Sequence, residues 1–346
     1  MIFSSTLKSL GRQVELFAGK GDSDENIHII DDDWNELSFL KLLIQLEKAR
    51  LDHVVLQFTP NMFASSEGKQ NYHLVDFWRK CSRNWKTSLI LHETYFRLWW
   101  YPPSWRKGGE QKRLLKMLID SSHHIFSASQ PLVEQIKGWS NKSKVYQLPI
   151  GSNFTLVPID IKKWRDKYQI ATTDIVLVLF GGGNSLKWLR GHVNAVDNLL
   201  YKNHIQTHWL LLGGIPIEWF RLKSPVILPG RLSETKISAW LQASDIFLVP
   251  HFFGLCAKRG TLMSAMLHGL PVVGTIEIMT DNFWSEVKGV NLISTKNSKH
   301  FAEEVLRLCS IPELRQRNGQ FNSDYYLNNF SWVHIARKFL EINNNS

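Results

Sequence analysis

Short apolar runs rich in β-branched residues recur along the chain, and each is followed by a stretch with apolar residues at i, i+3 and i+4. The runs lie at 13–17, 53–58, 88–92, 124–127 and 144–148, and again at 175–180, 208–212, 226–228, 246–249 and 271–274. Helical periodicity is clearest at 38–50 and 193–202. Strand–helix–strand alternation predicts parallel sheets covered by helices. The two sets of runs divide near 149–163. They predict an α/β fold of two doubly wound, Rossmann-like domains facing one another across a cleft. A length of 346 residues suits two such domains.

Composition narrows the partners. An apolar fraction of 44% and a charged fraction of 21% exclude a disordered chain. The net charge of +10 favours an anionic partner, whether nucleic acid, phosphorylated substrate or lipid surface. Fourteen tryptophans suggest an interface or binding surface besides the cores. The cysteines Cys81, Cys256 and Cys309 lack metal-ligand spacing, which argues against a zinc site or disulfide framework and for a reducing compartment. No apolar run approaches the ~20 residues of a membrane span. Residues 1–8 lack the apolar core of a signal peptide. The expected location is cytoplasmic.

Two segments carry most of the phosphate-directed chemistry. The run 175–180 enters Gly181-Gly182-Gly183-Asn184-Ser185, with Lys187 just beyond. Glycines after a strand let backbone N–H groups approach an anion, and a following lysine adds a point charge. Leu186 stands where a dinucleotide fingerprint needs its third glycine, and no Walker lysine follows. The stretch 243–275 reads as a buried strand ending at Pro250, then a loop that brings Lys258 and Arg259 to a helix start at Gly260-Thr261. Free N–H groups and two cations make a diphosphate site. That helix should stop at Gly269, with Pro271 opening the next strand.

Other constellations are weaker. His92-Glu93-Thr94-Tyr95-Phe96 lacks the second histidine of a zinc protease, and no nucleophile elbow occurs. Asp31-Asp32-Asp33 reads as an exposed acidic turn and His123-His124 as a strand start. His251 and His268 read as loop and packing residues. The acidic block 22–36 and the basic block 97–116 are surface features. The second is interleaved with Trp99, Trp100 and Trp105, so docking of these rings on an anionic membrane surface is expected. Clustering in one loop, without an RNA-binding strand pattern, argues against nucleic acid.

The stretch 243–275 resembles the C-terminal domain of GT-B glycosyltransferases, in particular the retaining family 4, or group 1, type. The Asp-x-x-x-x-Pro strand matches Asp245–Pro250, and the Ala-Met-x-x-Gly-x-Pro-Val-Val run matches 265–273. Gly181–Lys187 resembles the phosphate loop, 89–92 the strand ending in a histidine beside the donor sugar, and 149–153 the lead into the hinge. Phe330-Ser331-Trp332 resembles the start of a final helix that crosses back. The resemblance implies three segments: an acceptor-side domain at 1–153, a nucleotide-sugar-binding domain at 154–330, and a crossing helix at 331–346. The family's first strand is not found before the helical pattern at 1–11, which reads as an absent loop or a truncated start. The paired family glutamates would fall on Cys256 and Ser264, and the loop arginine on Gly182, with Lys258 or Arg259 as its substitute.

The function implied is transfer of a sugar, of hexosyltransferase type, from a nucleotide diphosphate sugar to a lipid-linked or polysaccharide glycan, with retention and without a metal or bound cofactor. His92, Lys187 and Arg259 would act in catalysis. Gly181, Gly182, Gly183, Lys258, Gly260, Thr261, Leu262 and Ser264 would bind the donor. The missing glutamates favour a second reading, a non-catalytic nucleotide- or sugar-binding protein on a degenerate GT-B scaffold.

Overall fold

The structure, a computed structural model, describes residues 2–19, 27–30, 34–60, 62–64, 70–95, 103–139, 144–181 and 183–344. The acidic turn 31–33, Trp99, Trp100 and Gly182 lie outside the described residues. The chain divides into two compact units, one of 1–148 with 339–346 and one of 149–338.

The first unit runs α1 (Ile2–Ser9), β1 (Leu16–Ala18), β2 (Ile27–Ile29), α2 (Glu36–Lys48), β3 (His53–Phe58), α3 (His73–Asn84), β4 (Lys86–Leu91), α4 (Pro103–Asp120), β5 (His124–Ser127), α5 (Gln130–Lys137) and β6 (Val145–Gln147). Strands β3–β6 form a parallel sheet in chain order, while β1 and β2 pair separately. The core gathers Leu74, Trp78, Leu89, Leu91, Leu115 and Ile125. Trp78 satisfies its indole by donating to Ser122 Oγ at 2.8 Å.

The second unit runs α6 (Ile161–Lys167), β7 (Ile175–Phe180), α7 (Asn184–Trp188), α8 (Arg190–Lys202), β8 (Thr207–Leu212), β9 (Val226–Ile227), α9 (Glu234–Gln242), β10 (Ile246–Val249), α10 (Gly260–Leu267), β11 (Val272–Ile276), β12 (Val290–Ser294), α11 (Ser298–Ser310) and α12 (Pro312–Asn329). The final helix, α13 (Trp332–Asn344), begins in this unit, and its residues from Phe339 onward belong to the first. There Asn343 Oδ1 accepts from Ser88 Oγ at 2.9 Å, and Phe339 packs on Phe126 and His53.

The six parallel strands of the second unit lie in the order β12-β11-β10-β7-β8-β9. The unbroken apolar run of β7 follows from burial on both faces. Val176 and Val178 join one core cluster, and Ile175, Leu177 and Leu179 the other. Helix α10 is likewise enclosed, with Leu262, Met263, Ala265 and Met266 in the first of those clusters. Its C-terminal turn meets α12 backbone to backbone: a Cβ on Gly319 would stand 2.0 Å from the Gly269 carbonyl oxygen.

Candidate functional site

Strand order fixes where a ligand fits in the second unit. From β7 the chain moves to β8 and β9 on one side, then returns to lay β10, β11 and β12 on the other. At such a reversal the loops leaving the carboxyl ends of the two central strands diverge and leave a crevice. Those strands are β7 and β10, registered Leu179 opposite Leu248. The loops leaving them are the two segments richest in phosphate-directed residues.

After β7, Gly181 adopts φ +113°, in the region that favours glycine. Its N–H donates to the Leu212 carbonyl at 3.0 Å. The end of β8 closes on it: a Cβ on Gly213 (φ +83°) would lie 3.1 Å from Gly181 N. Gly183 is exposed and caps α7, and Lys187 on that helix is exposed. Arg190 holds the helix end through Nη1 to the Lys187 carbonyl at 3.2 Å. The glycine pair Gly213-Gly214 was not singled out from sequence; its position directly after a strand was the available signal.

The loop after β10 is pinned throughout. Thr275 Oγ1 accepts from His251 N–H at 2.8 Å and donates to the His251 carbonyl at 2.6 Å. Asp281 Oδ2 accepts from Ala257 N–H at 2.6 Å, and Leu255 N–H donates to the Thr275 carbonyl at 2.9 Å. Gly254, at φ +87°, has no room for a Cβ, which would meet Thr280 Oγ1 at 2.1 Å. Leu255, Cys256 and Ala257 are buried, so the following Lys258 and Arg259 project from a fixed base. Gly260 opens α10 with Asn153 close against its Cα, and Thr261 is half-buried.

Arg259 is the electrostatic focus. Burial lowers its pKa, against the opposing effect of Cys256 beside it, and a guanidinium stays cationic at any ordinary pH. The guanidinium is hydrogen-bonded to Cys256, but its Nε is enclosed and has no hydrogen-bond partner among the described residues. A buried cationic donor without an acceptor is costly unless an anion completes it. His251, given no part in the site by the sequence reading, lies within the field of Arg259 and Lys258. Burial, and then those two cations, push its pKa down to about 3, so the ring is neutral. The Phe253 N–H points at its Nδ1 at 3.3 Å, and a backbone hydrogen bond at Gly254 partly opposes the shift. The two loops touch through Trp188 and Phe252, whose rings lie 5.1 Å apart, edge to face.

Two residues expected at the donor are enclosed instead. Leu262 belongs to the apolar core. Ser264 has no exposed surface, and its Oγ is used by the Gly260 carbonyl at 2.7 Å and Ser152 Oγ at 2.8 Å. Neither side chain is presented to a ligand. The resemblance set Ser264 on the second family glutamate; two positions apart, the two side chains point to opposite sides of α10, and both are covered because that helix is enclosed. His268 ties α10 to Ser238 at 2.8 Å, a packing role.

In the first unit His92 follows β4. Its N–H donates to the Phe58 carbonyl at 3.1 Å, and its Nε2 lies 3.2 Å from Gln57 Oε1. Burial lowers its pKa, partly offset by Glu93. Of the aromatic segment beyond it, Tyr95 packs on Trp139, with Lys112 over both rings. Position 105 falls within α4. No helix among the described residues is long and apolar enough to cross a membrane.

These features are those of a two-domain GT-B fold. Sucrose-phosphate synthase from Thermosynechococcus elongatus superposes with a TM-score of 0.71 at 12% identity, over 99% of this chain and 91% of that one. A glycosyltransferase from Rickettsia africae ESF-5 gives 0.71 at 17% identity, over 99% and 93%. WaaG, a glycosyltransferase involved in lipopolysaccharide biosynthesis, gives 0.61 at 14% identity, over 100% and 95%. No curated protein matches the chain significantly. Residues 173–310, which span β7 through β12 and α11, match the family model described as Glycosyl transferases group 1.

Proposed function

We propose that the protein transfers a sugar from a nucleotide diphosphate sugar to a glycan acceptor. The observation that carries this reading is the enclosed Nε of Arg259, without a partner among the described residues, at the N-terminus of α10, beside Lys258 and across the strand reversal from Gly183 and Lys187. The leaving group of such a transfer is a nucleoside diphosphate, and its growing negative charge is the main electrostatic demand. Fixed donors meet that demand without reorganising: Arg259, Lys258, Lys187, and the N–H groups near Gly183 and Thr261. In this reading His92 positions the donor sugar, and the donor phosphate helps to deprotonate the acceptor, giving a same-face displacement with retention and no metal. The acceptor is a lipid-linked or polysaccharide glycan on the cytoplasmic side. Docking of Trp99, Trp100 and Trp105 on anionic lipid rests on the sequence alone, and vesicle co-sedimentation tests it.

Turnover of radiolabelled nucleotide sugars, with the product anomer read from NMR couplings, tests the reading. An α-linked donor should give an α-linked product in the presence of a chelator; an inverted anomer contradicts the mechanism. The second reading, a non-catalytic nucleotide-sugar binder, is favoured by one observation: positions 256 and 264, where the family pattern has glutamates, hold Cys256 and Ser264 and so no carboxylate. Tight donor binding without turnover would select it.

A further inference from the structure

Alongside the β7 loop, but on the flank of the second unit formed by α8 and the segment after β8, lies an open groove of about 690 Å³. That volume falls in the range of small-molecule sites, roughly 300–1,000 Å³. It is lined by Trp188 and Trp219, the latter in the 3-10 turn Ile217–Trp219, together with Arg190, Arg221, Glu218 and Asn194. The lining segments are tied together, because Asn194 Oδ1 accepts the Arg221 N–H at 2.9 Å. Neither arginine forms an ion pair among the described residues, and both are exposed. Gly191 also lines the groove, and an added Cβ there would meet nothing within 4 Å.

We infer that this groove binds an acidic oligosaccharide. It is a site distinct from Lys187 and Arg259, and the inference does not depend on the proposed transfer reaction. A tryptophan ring presents a flat apolar face with one N–H donor, which suits the C–H face of a pyranose. An arginine fork recognises a carboxylate through paired hydrogen bonds. Asn194 and Glu218 supply a donor and an acceptor for hydroxyl groups.

The test is titration of the full chain, without donor, by tryptophan fluorescence and calorimetry. The probes are a (1→4)-linked galacturonate oligosaccharide, a malto-oligosaccharide of equal length, inorganic tripolyphosphate and a thymidylate oligonucleotide. The galacturonate probe should bind, weaken with salt, and lose about tenfold in affinity for Arg221→Gln, the equivalent of one charge-assisted contact. Gly191→Leu, which fills open space on a helix without backbone strain, should abolish binding while the fold persists. Nucleoside diphosphate binding, measured in parallel, should be unchanged in both variants, so failure of the groove is separable from failure of the donor site. The inference is overturned if the galacturonate does not bind or the neutral sugar binds equally well. Tighter binding of tripolyphosphate or the oligonucleotide, or unchanged galacturonate binding by Gly191→Leu, would overturn it as well.

Discussion

The two sheets are built from the same parallel strand–helix units, yet they offer a ligand different things. In the first unit β3 to β6 follow one another in chain order, each strand laid on the same side of the last. In the second the order reverses between β7 and β10. A reversal separates adjacent loops and opens a crevice at the carboxyl edge, whereas a one-way sheet keeps each loop packed beside its neighbour. The phosphate-directed residues follow that distinction. Lys187, His251, Lys258 and Arg259 leave the two strands at the reversal, while His92 stands at a strand end held by Gln57 and Phe58. The proposed reading accordingly puts anchoring of the donor in the second unit and gives the first a positioning role.

Perturbations of activity sharpen this contrast. Lys187→Ala should cost about 2–4 kcal/mol, or roughly 30- to 1,000-fold in kcat/KM, with the fold intact because the side chain is exposed. An unchanged kcat/KM in the folded variant would remove Lys187 from the site. Gly319→Ala should destabilise the second unit by about 2–4 kcal/mol, since its Cβ would drive into the Gly269 carbonyl. Two-probe denaturation should show the first unit's transition unmoved; a single shared shift would mean that the units do not unfold separately. His92→Gln should lower kcat by about tenfold, ~1.4 kcal/mol, while affinity for the free nucleoside diphosphate stays constant. A loss of diphosphate affinity would move anchoring into the first unit.

Acid should weaken both units, through different histidines. His53 in the first is pushed down to about 4, chiefly by burial, and His251 in the second to about 3. Each group is neutral when folded, while the unfolded chain takes up its proton near 6.5. The unfolded state therefore binds more protons as pH falls, so stability is full above about 6.5 and declines toward 4 and 3, respectively. Urea midpoints recorded from pH 7 to pH 4 should fall, and His251→Gln should flatten the decline for the second unit only.

Much of the architecture was legible because burial leaves a simple trace. Residues 175–180 are apolar without interruption because both faces of β7 are covered, and 53–58 and 246–249 were equally readable. Strand β12 escaped because Asn291 breaks its run, and β2 because three residues beside an acidic block carry no period. The loop chemistry of Lys187 and Arg259 was visible in local order alone. The part of His251 was not, since Thr275 fixes its backbone from twenty-four residues away and the cations that neutralise it act through space. Nor could the sequence show that α10 is enclosed on opposite sides, which covers both Leu262 and Ser264, because that depends on the elements packed around it.

The central claim is that the strand reversal in the second unit holds the nucleoside diphosphate. Calorimetric titration of a panel of nucleoside diphosphates into the full chain tests it most directly, with Arg259→Gln and His92→Gln measured beside it. At least one diphosphate should bind the unmodified chain and His92→Gln alike, and Arg259→Gln should weaken it by about 100- to 5,000-fold, or ~3–5 kcal/mol. Binding left intact by Arg259→Gln but lost in His92→Gln would contradict the account.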